Sequence, residues 1–404
     1  MPRNLPLTFI VLTVLLDSIG FGIVIPVFPS LITDLTGKGL AEAATIGGWL
    51  GMAYAVIQFL FAPVMGNLSD RFGRKPVLLA CLAAFTVDYL IAAFAPSIGW
   101  LLLARLIAGI TGASFSVAYA YIADITPPAK RAETFGLLSV AFGIGFIVGP
   151  ALGGLVAAWG VHAPFLLAAG LAALNFLLGA LVLPESLSAE KRRPFDWRRA
   201  NPLGALKQVR ALGGAIGWIA VGLFAWFIAH QSLQGLWNFY ASYRYGWGAK
   251  EVGWSLTAVG VGSVLVQWFL IKRAIARLGE RRTALLGIVC GVIAFTLYGA
   301  AFVPWIGLVG IVFGSIAGMA YPSIQAMMSM MTPEDAQGEL QGAMSALSSL
   351  AVIIGPPLMT QLFALFSGAG AIAEAPGVPY FLAAALAAFT FLMVRRAPPV
   401  KKPG

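Results

Sequence analysis

Charge is what this chain has least of. Of its 404 residues only 10% are Asp, Glu, Lys or Arg, against 59% hydrophobic, and the mean hydropathy is +0.88. A soluble domain carries roughly 25% charged residues, so a chain this poor in charge is solvated by lipid. Histidine and cysteine number two each. Cys81 and Cys290 fall in separate apolar runs, with no CxxC and no Cys/His cluster, which argues against a zinc centre or a dithiol redox motif. They read as packing thiols, and no metal site is expected. A phosphate loop is also missing. Lys38 in Thr36-Gly37-Lys38-Gly39 has the wrong spacing, and Gly143-x-Gly145 follows no strand, so ATP is not the expected energy source. With His162 near a loop and His230 alone, no base sits in a recognisable nucleophile constellation, which disfavours a membrane enzyme.

What is present is apolar length. At ~20 apolar residues per helical crossing, the runs give about twelve spans: 6–31, 45–66, 75–95, 98–123, 132–159, 162–183, 212–241, 250–271, 282–301, 304–331, 337–365 and 379–395. The first run leads through Pro26 and Pro29 into more apolar sequence, unlike a cleaved signal peptide. The net charge of +10 is a matter of sidedness. Most of the 26 Lys and Arg residues lie in turns on one side, whereas the other side holds only Lys38, Arg244 and Lys250. That asymmetry puts both termini in the cytoplasm. It is a topology signal and implies no nucleic-acid partner.

The chain is expected to divide into an N-terminal six-helix bundle (1–183), a cytoplasmic linker (184–211) and a C-terminal six-helix bundle (212–404). The linker reads partly as an amphipathic surface helix carrying Phe195, Trp197 and Leu206. The charged hairpin Arg71-Phe72-Gly73-Arg74-Lys75 returns 206 positions later as Arg277-Leu278-Gly279-Glu280-Arg281. At the same offset Gly112 meets Gly318, Thr126-Pro127 meets Thr332-Pro333, Glu133 meets Glu339, and Gly149-Pro150 meets Gly355-Pro356. One register held over so long a stretch indicates duplication, as in transporters whose halves are parallel repeats. In this register Asp17, Asp88 and Arg105 fall opposite Leu223, Ala294 and Ile311, so membrane-depth charge belongs to the first half alone.

Those three residues are the candidates for coupling. A charged group at the bilayer centre costs ~2.5–3.5 kcal/mol on insertion scales. Asp17 lies mid-way through the first span, where a carboxyl can be neutral or ionised according to what fills the cavity, as a proton-coupled carrier requires. Asp88 sits nearer the outer end of span 3. Arg105 keeps its charge and suits a fixed counter-ion, or snorkels outward. Asp70, Arg74 and Asp124 gather at the cytoplasmic ends of spans 2–4, where an acid can meet the N-terminus of a helix and latch one half to the other. Gly145-x-x-x-Gly149-Pro150-x-x-Gly153-Gly154 combines close backbone approach with a proline bend, a plausible gate. Tyr54, Gln58, Tyr119, Gln231, Gln234, Trp237, Asn238 and Gln325 are flat or amphipathic side chains suited to lining a cavity for a large, planar, partly polar ligand.

The hairpin Gly66-x-x-x-Asp70-Arg71-x-Gly73-Arg74-Lys75 resembles the loop 2–3 motif of the major facilitator superfamily. Leu101-x-x-x-Arg105-x-x-x-Gly109 resembles its span 4 motif, and the glycine–proline run resembles the span 5 motif of its proton-driven antiporters. More narrowly, Leu16-Asp17-Ser18-Ile19-Gly20, Phe61-Ala62-Pro63, Tyr245-Gly246-Trp247 and Gln337-Gly338-Glu339-Leu340-Gln341-Gly342 are similar to tetracycline efflux proteins. The resemblance implies an all-α membrane protein of the major facilitator fold, with twelve transmembrane helices in two pseudo-symmetric six-helix bundles. It implies a multi-pass protein of the bacterial inner membrane, acting as a monomer by alternating access. Its partners are a drug-like small molecule and protons, and it needs no cofactor beyond the proton gradient. Coupling roles would pass to Asp17, Asp88 and Arg105, gating roles to Asp70, Arg74 and Asp124, and substrate contact to Gln58. The tetracycline exporters also carry a His in span 8 and an Asp in span 9; Ser263 and Gly291 stand there in this chain. An uptake symporter or uniporter for a small metabolite is the alternative on the same fold.

Overall fold

A computed structural model describes residues 5–112, 114–127, 130–196, 209 and 213–397. Among these the chain is helical, without a strand. In order the helices are α1 (Leu5–Val24), α2 (Phe28–Thr36), α3 (Leu40–Phe72), α4 (Arg74–Ala93), α5 (Ile98–Thr111), α6 (Ser114–Ile125), α7 (Arg131–Val156) and α8 (Ala163–Val182). After the linker come α9 (Gly214–Gln234), α10 (Trp237–Tyr245), α11 (Ala249–Leu265), α12 (Ile271–Ala300), α13 (Pro304–Ala317), α14 (Ala320–Met330), α15 (Gln337–Leu365) and α16 (Val378–Arg396).

Eleven continuous helical runs among the described residues are long and apolar enough to cross a bilayer. One of them, Ala249–Ala300, is two crossings, because Gly279 within it has φ 76 and ψ 167. Twelve crossings result. Four differ in detail from the spans read off the sequence. The first runs on to Thr36 through a 3₁₀ turn at Ile25–Val27, where Pro26 supplies no N–H. The fourth and tenth break after Gly112 and Gly318, and the seventh breaks at Gly235–Leu236. Hydropathy does not register such breaks, because the residues on both sides are equally apolar.

The described residues of Met1–Lys38, Ala53–Pro202 and Gly248–Thr257 form one compact unit, and those of Gly39–Met52, Leu203–Trp247 and Ala258–Gly404 form a second. The core of the first unit joins Phe9, Ile10 and Val14 of α1 to Leu78 and Cys81 of α4, Tyr121 and Ile122 of α6, and Leu138 of α7. Large side chains left exposed are those expected to face lipid. Trp100, Trp159, Trp218 and Trp305 stand exposed near helix ends, as in an interfacial aromatic belt. Of the expected linker, 184–196 and 209 are described; the amphipathic stretch with Trp197 and Leu206 lies outside the described residues.

Duplication is visible in backbone geometry. Gly73 (φ 103, ψ 158) and Gly279 (φ 76, ψ 167) open the two hairpins in the same extended, positive-φ conformation, which only glycine adopts readily. Gly112 and Gly318 end α5 and α13 with nearly equal angles, φ −58 and −57. The register is not constant, however. Gly37 and Gly246 are the matching left-handed caps of α2 and α10, which sets an offset of 209 there. Contacts agree: Gly22 lies against Gly149, and Gln231 lies against Gly355. The second copy is therefore three residues shorter between Gly246 and Gly279, an interval containing a π-helical turn at Val266–Leu270. The counterpart of Asp17 is accordingly Trp226, which corrects the assignment to Leu223.

Candidate functional site

Asp17 sits on the side of α1 facing α8 and α4. Its Oδ1 accepts a hydrogen bond from Asn175 Nδ2 of α8 at 3.3 Å. Asn175, fully buried, also accepts from Thr13 Oγ1 at 3.1 Å and reaches the Thr13 carbonyl at 3.5 Å. On its other side Asp17 lines a small cavity with Leu16, Gly20, Phe85, Tyr89, Ala168 and Ala172, about the room one water needs. The Tyr89 hydroxyl lies over Gly20, where a Cβ would come within 3.2 Å of it.

Asp88 and Arg105 meet across α4 and α5. Arg105 Nη2 lies 3.5 Å from Asp88 Oδ2, and the carboxylate is 1% exposed. That separation is an ion pair rather than a well-formed hydrogen bond, and Asp88 Oδ1 has no hydrogen-bond partner among the described residues. The guanidinium also stands 5.9 Å above the Phe28 ring. Tyr54 of α3 lies in the field of both charges, and its hydroxyl accepts from Gln58 Nε2 at 3.1 Å. Tyr89 lines the same cavity as Asp17 and follows Asp88 in the chain. The three coupling candidates thus belong to one polar cluster inside the first unit.

At the ends of α3 and α4 the hairpin forms a second cluster. Arg74 Nη1 pairs with Asp70 Oδ1 at 2.6 Å and Nε with Asp124 Oδ2 at 3.0 Å, while Ser69 Oγ accepts from Nη1 at 2.6 Å. The helix N-terminus in this cluster is that of α4, and the acid on it is Glu185. Glu185 accepts from the backbone N–H of Arg74 at 2.8 Å and of Lys75 at 3.2 Å. Its Oε1 also takes the N–H groups of Ser186 and Leu187, both at 3.0 Å. The start of the linker binds the same hairpin, Asn67 Nδ2 donating to the Asp196 carbonyl at 2.6 Å and the Arg193 N–H to that of Asp70 at 3.1 Å.

The glycine–proline run is the face of α7 laid on α1. A Cβ at Gly145 would meet Ser18 Cβ at 2.5 Å, and one at Gly149 the Ile19 carbonyl at 2.7 Å; one at Gly153 would strike the Ile23 carbonyl. Gly253 of α11 packs on Pro150, and Thr257 Oγ1 donates to the Ile147 carbonyl at 3.0 Å.

Within the second unit, Trp226 takes the place of Asp17. Its indole lies where a Cβ on Gly291 would be, 2.7 Å from a ring carbon. Gly291 is in turn the counterpart of Phe85, so a carboxylate opposite a large ring has become a large ring opposite hydrogen. His230 packs on Trp226 and Phe295, with Nδ1 at 2.9 Å from the Trp226 carbonyl. Ser263 turns its hydroxyl to the Val259 carbonyl of its own helix. Of the cavity-lining candidates here, Gln234 is exposed, Gln231 is buried against Gly355, and Gln325 donates to Gln341 at 3.1 Å. Trp237 is 3% exposed within a cluster of Tyr240, Trp247, Tyr298 and Tyr380, and Asn238 beside it is buried. In the first unit Tyr119 is exposed and tilted against Phe135.

A family model described as Major Facilitator Superfamily matches residues 10–250 and 232–404. The chain belongs to the major facilitator superfamily. Among relatives in this superfamily, it is 40% identical to "Tetracycline resistance protein, class C" of Escherichia coli, covering 90% of this chain and 91% of that one. It is 29% identical to "Multidrug resistance protein 2" of Bacillus subtilis (strain 168), covering 86% of each. The solved nucleoside transporter NupG superposes with a TM-score of 0.75 at 16% identity, over 98% of this chain and 100% of that one, a likeness of fold. The protein is thus a multi-pass membrane transporter of the major facilitator fold.

Sequence reading missed three residues of these sites. Asn175 was legible as the single amide in an otherwise apolar span. Glu185 follows Pro184 at a helix end and carries no motif spacing. Trp226 was hidden by the three-residue change of register.

Proposed function

We propose that this chain exports drug-like, planar, partly polar compounds across a bacterial inner membrane in exchange for protons, by alternating access. Asp17 is the coupling carboxylate in this reading. Asp88 and Arg105 are the charge pair that responds to it through Tyr89, and Asp70, Arg74, Asp124, Gly149 and Pro150 serve gating. Tyr54, Gln58, Tyr119, Gln231, Gln234 and Gln325 are the candidates for substrate contact, with Trp237 and Asn238 behind them. Both termini lie in the cytoplasm, the chain acts as a monomer, and the proton gradient supplies the energy.

The observation that carries this reading is the carboxyl of Asp17, set at mid-membrane depth between an amide donor and a cavity of water size. Such a group can take up and release a proton without a permanent counter-charge. The names of the relatives, resistance proteins for tetracycline and for multiple drugs, support export of drugs as the direction and cargo. In proteoliposomes, an imposed pH gradient is expected to drive drug uptake by the wild-type protein. Asp17→Asn is expected to reduce that driven uptake to the level of empty vesicles; full driven uptake by this variant would overturn the assignment.

A further inference from the structure

The duplication places a second, uncharged version of the Asp17 corner in the same molecule. In the first unit α8 meets α1 through Asn175 and the Thr13 backbone carbonyl. In the second, α16 meets α9 through Thr390, whose Oγ1 shares its one proton between the Gly222 carbonyl at 2.8 Å and the Leu386 carbonyl of its own helix at 2.9 Å. Gly222 is the counterpart of Thr13 at the offset of 209 set by the caps. Thr390 is the counterpart of Asn175 at an offset of 215, the same that aligns Pro164 with Pro379 at the starts of α8 and α16. A threonine therefore suffices to join these helices. The amide of Asn175 adds one group that threonine lacks, a second N–H, and that N–H points at Asp17.

Two further facts make the orientation meaningful. Asn175 has no access to solvent, so its N–H groups must find protein partners. The opposite flip of the amide would set Oδ1 against both a carboxylate oxygen and a backbone carbonyl, which is electrostatically unfavourable. Where the carboxylate is missing, opposite Trp226, the amide is missing as well.

We infer that Asn175 is a positioning residue for coupling: it holds the ionised form of Asp17 in a nearly dry helix interface, so that the protein can carry drug after its proton has left. This rests on Asp17 being the coupling carboxylate. A carboxylate between α1, α4 and α8 has few other donors. Among the described residues the titratable groups around it are Tyr89 and Cys81 of α4, neither a cation. α8 holds no titratable side chain, and α7 holds none beyond its first turn. Asn175 Nδ2 is the donor that meets the charge.

The second unit supplies the variant that tests this. Asn175→Thr keeps the helix-to-helix hydrogen bond and removes the donor to Asp17. Gradient-driven drug uptake is expected to fall at least about tenfold, the factor carried by one hydrogen bond to a charged group. Drug-for-drug exchange at equal alkaline pH on both sides, where Asp17 is ionised without the donor, is expected to stay within about twofold of wild type. The thermal midpoint of the purified variant is expected to match that of wild type, which separates lost coupling from lost fold. Asp17→Asn is measured alongside. If it abolishes driven uptake while Asn175→Thr leaves driven uptake intact, the role of Asn175 is overturned and that of Asp17 stands. If exchange at alkaline pH and driven uptake fall together in Asn175→Thr, Asn175 is structural and the inference again fails. Driven uptake by Asp17→Asn would remove the coupling assignment itself.

Discussion

Buried Asp88 and largely buried Arg105 meet loosely, at 3.5 Å, with Asp88 Oδ1 unpartnered among the described residues. Removing one member of a buried pair strands the other, a loss of about 3–5 kcal/mol in typical cases. Asp88→Asn and Arg105→Gln are each expected to lower the thermal midpoint of the purified protein clearly. The double variant Asp88→Asn/Arg105→Gln is expected to be more stable than the sum of the two losses implies, because no charge is left alone. A double-mutant cycle on unfolding measures this, and additive losses would show that the two charges do not sense each other. Asp17 differs in kind. Its partner is a neutral amide, so Asp17→Asn leaves no stranded cation and is expected to affect driven transport with little effect on stability.

Among the helices, α7 shows most clearly how sequence becomes packing. Its glycines at 145, 149 and 153 lie on one face and touch α1 backbone, whereas Gly136 and Gly143 have nothing within 4 Å of an added Cβ. Gly149→Ala is therefore expected to cost about 1–3 kcal/mol through overpacking against Ile19 and Gly22. Gly143→Ala on the same helix is expected to be neutral or slightly stabilising through its better helix propensity. Expression level and thermal midpoint of the two variants, compared directly, check this; equal effects would mean that the α1 contact is not the reason for the glycines. The run Gly145 to Gly154 announced such a face in the sequence, because small residues at that spacing have little use on a lipid surface. The hairpin was legible for a similar reason, since charge between two apolar runs has to serve something. Breaks such as Gly112 and Gly235–Leu236 were not legible, because the hydropathy on either side does not change. Pairings between residues distant in the chain were not legible either, even where one member, such as Asn175, stands out in its own span. Nothing near Asp17 in sequence points to Asn175, and nothing near Arg74 points to Glu185. The register of the repeat was read correctly where glycines and prolines mark it, and wrongly in α9, where a three-residue shortening upstream of Gly279 had shifted the match.

For the molecule as a whole, the proposed orientation has both termini in the cytoplasm, the side on which the basic turns gather. A green fluorescent protein fused at either end is expected to fluoresce in intact cells, and a periplasm-dependent phosphatase at either end to stay inactive. Signals of opposite sense from the two ends would mean an odd number of crossings. The two units have diverged in chemistry while keeping a common architecture: among the described residues the buried Asp88 and the partly buried Asp17 and Arg105 belong to the first, and the second has aromatic and amide side chains at the corresponding positions. The exchange of Asp17 and Phe85 for Trp226 and Gly291 has a historical consequence. An acidic residue at position 291 has no room until Trp226 shrinks, and a small residue at 226 leaves a void until 291 grows. Neither single step is tolerated well, so the two positions must change together or in a costly order. Trp226 and Gly291 thereby hold each other in place, and neither position is free to change alone.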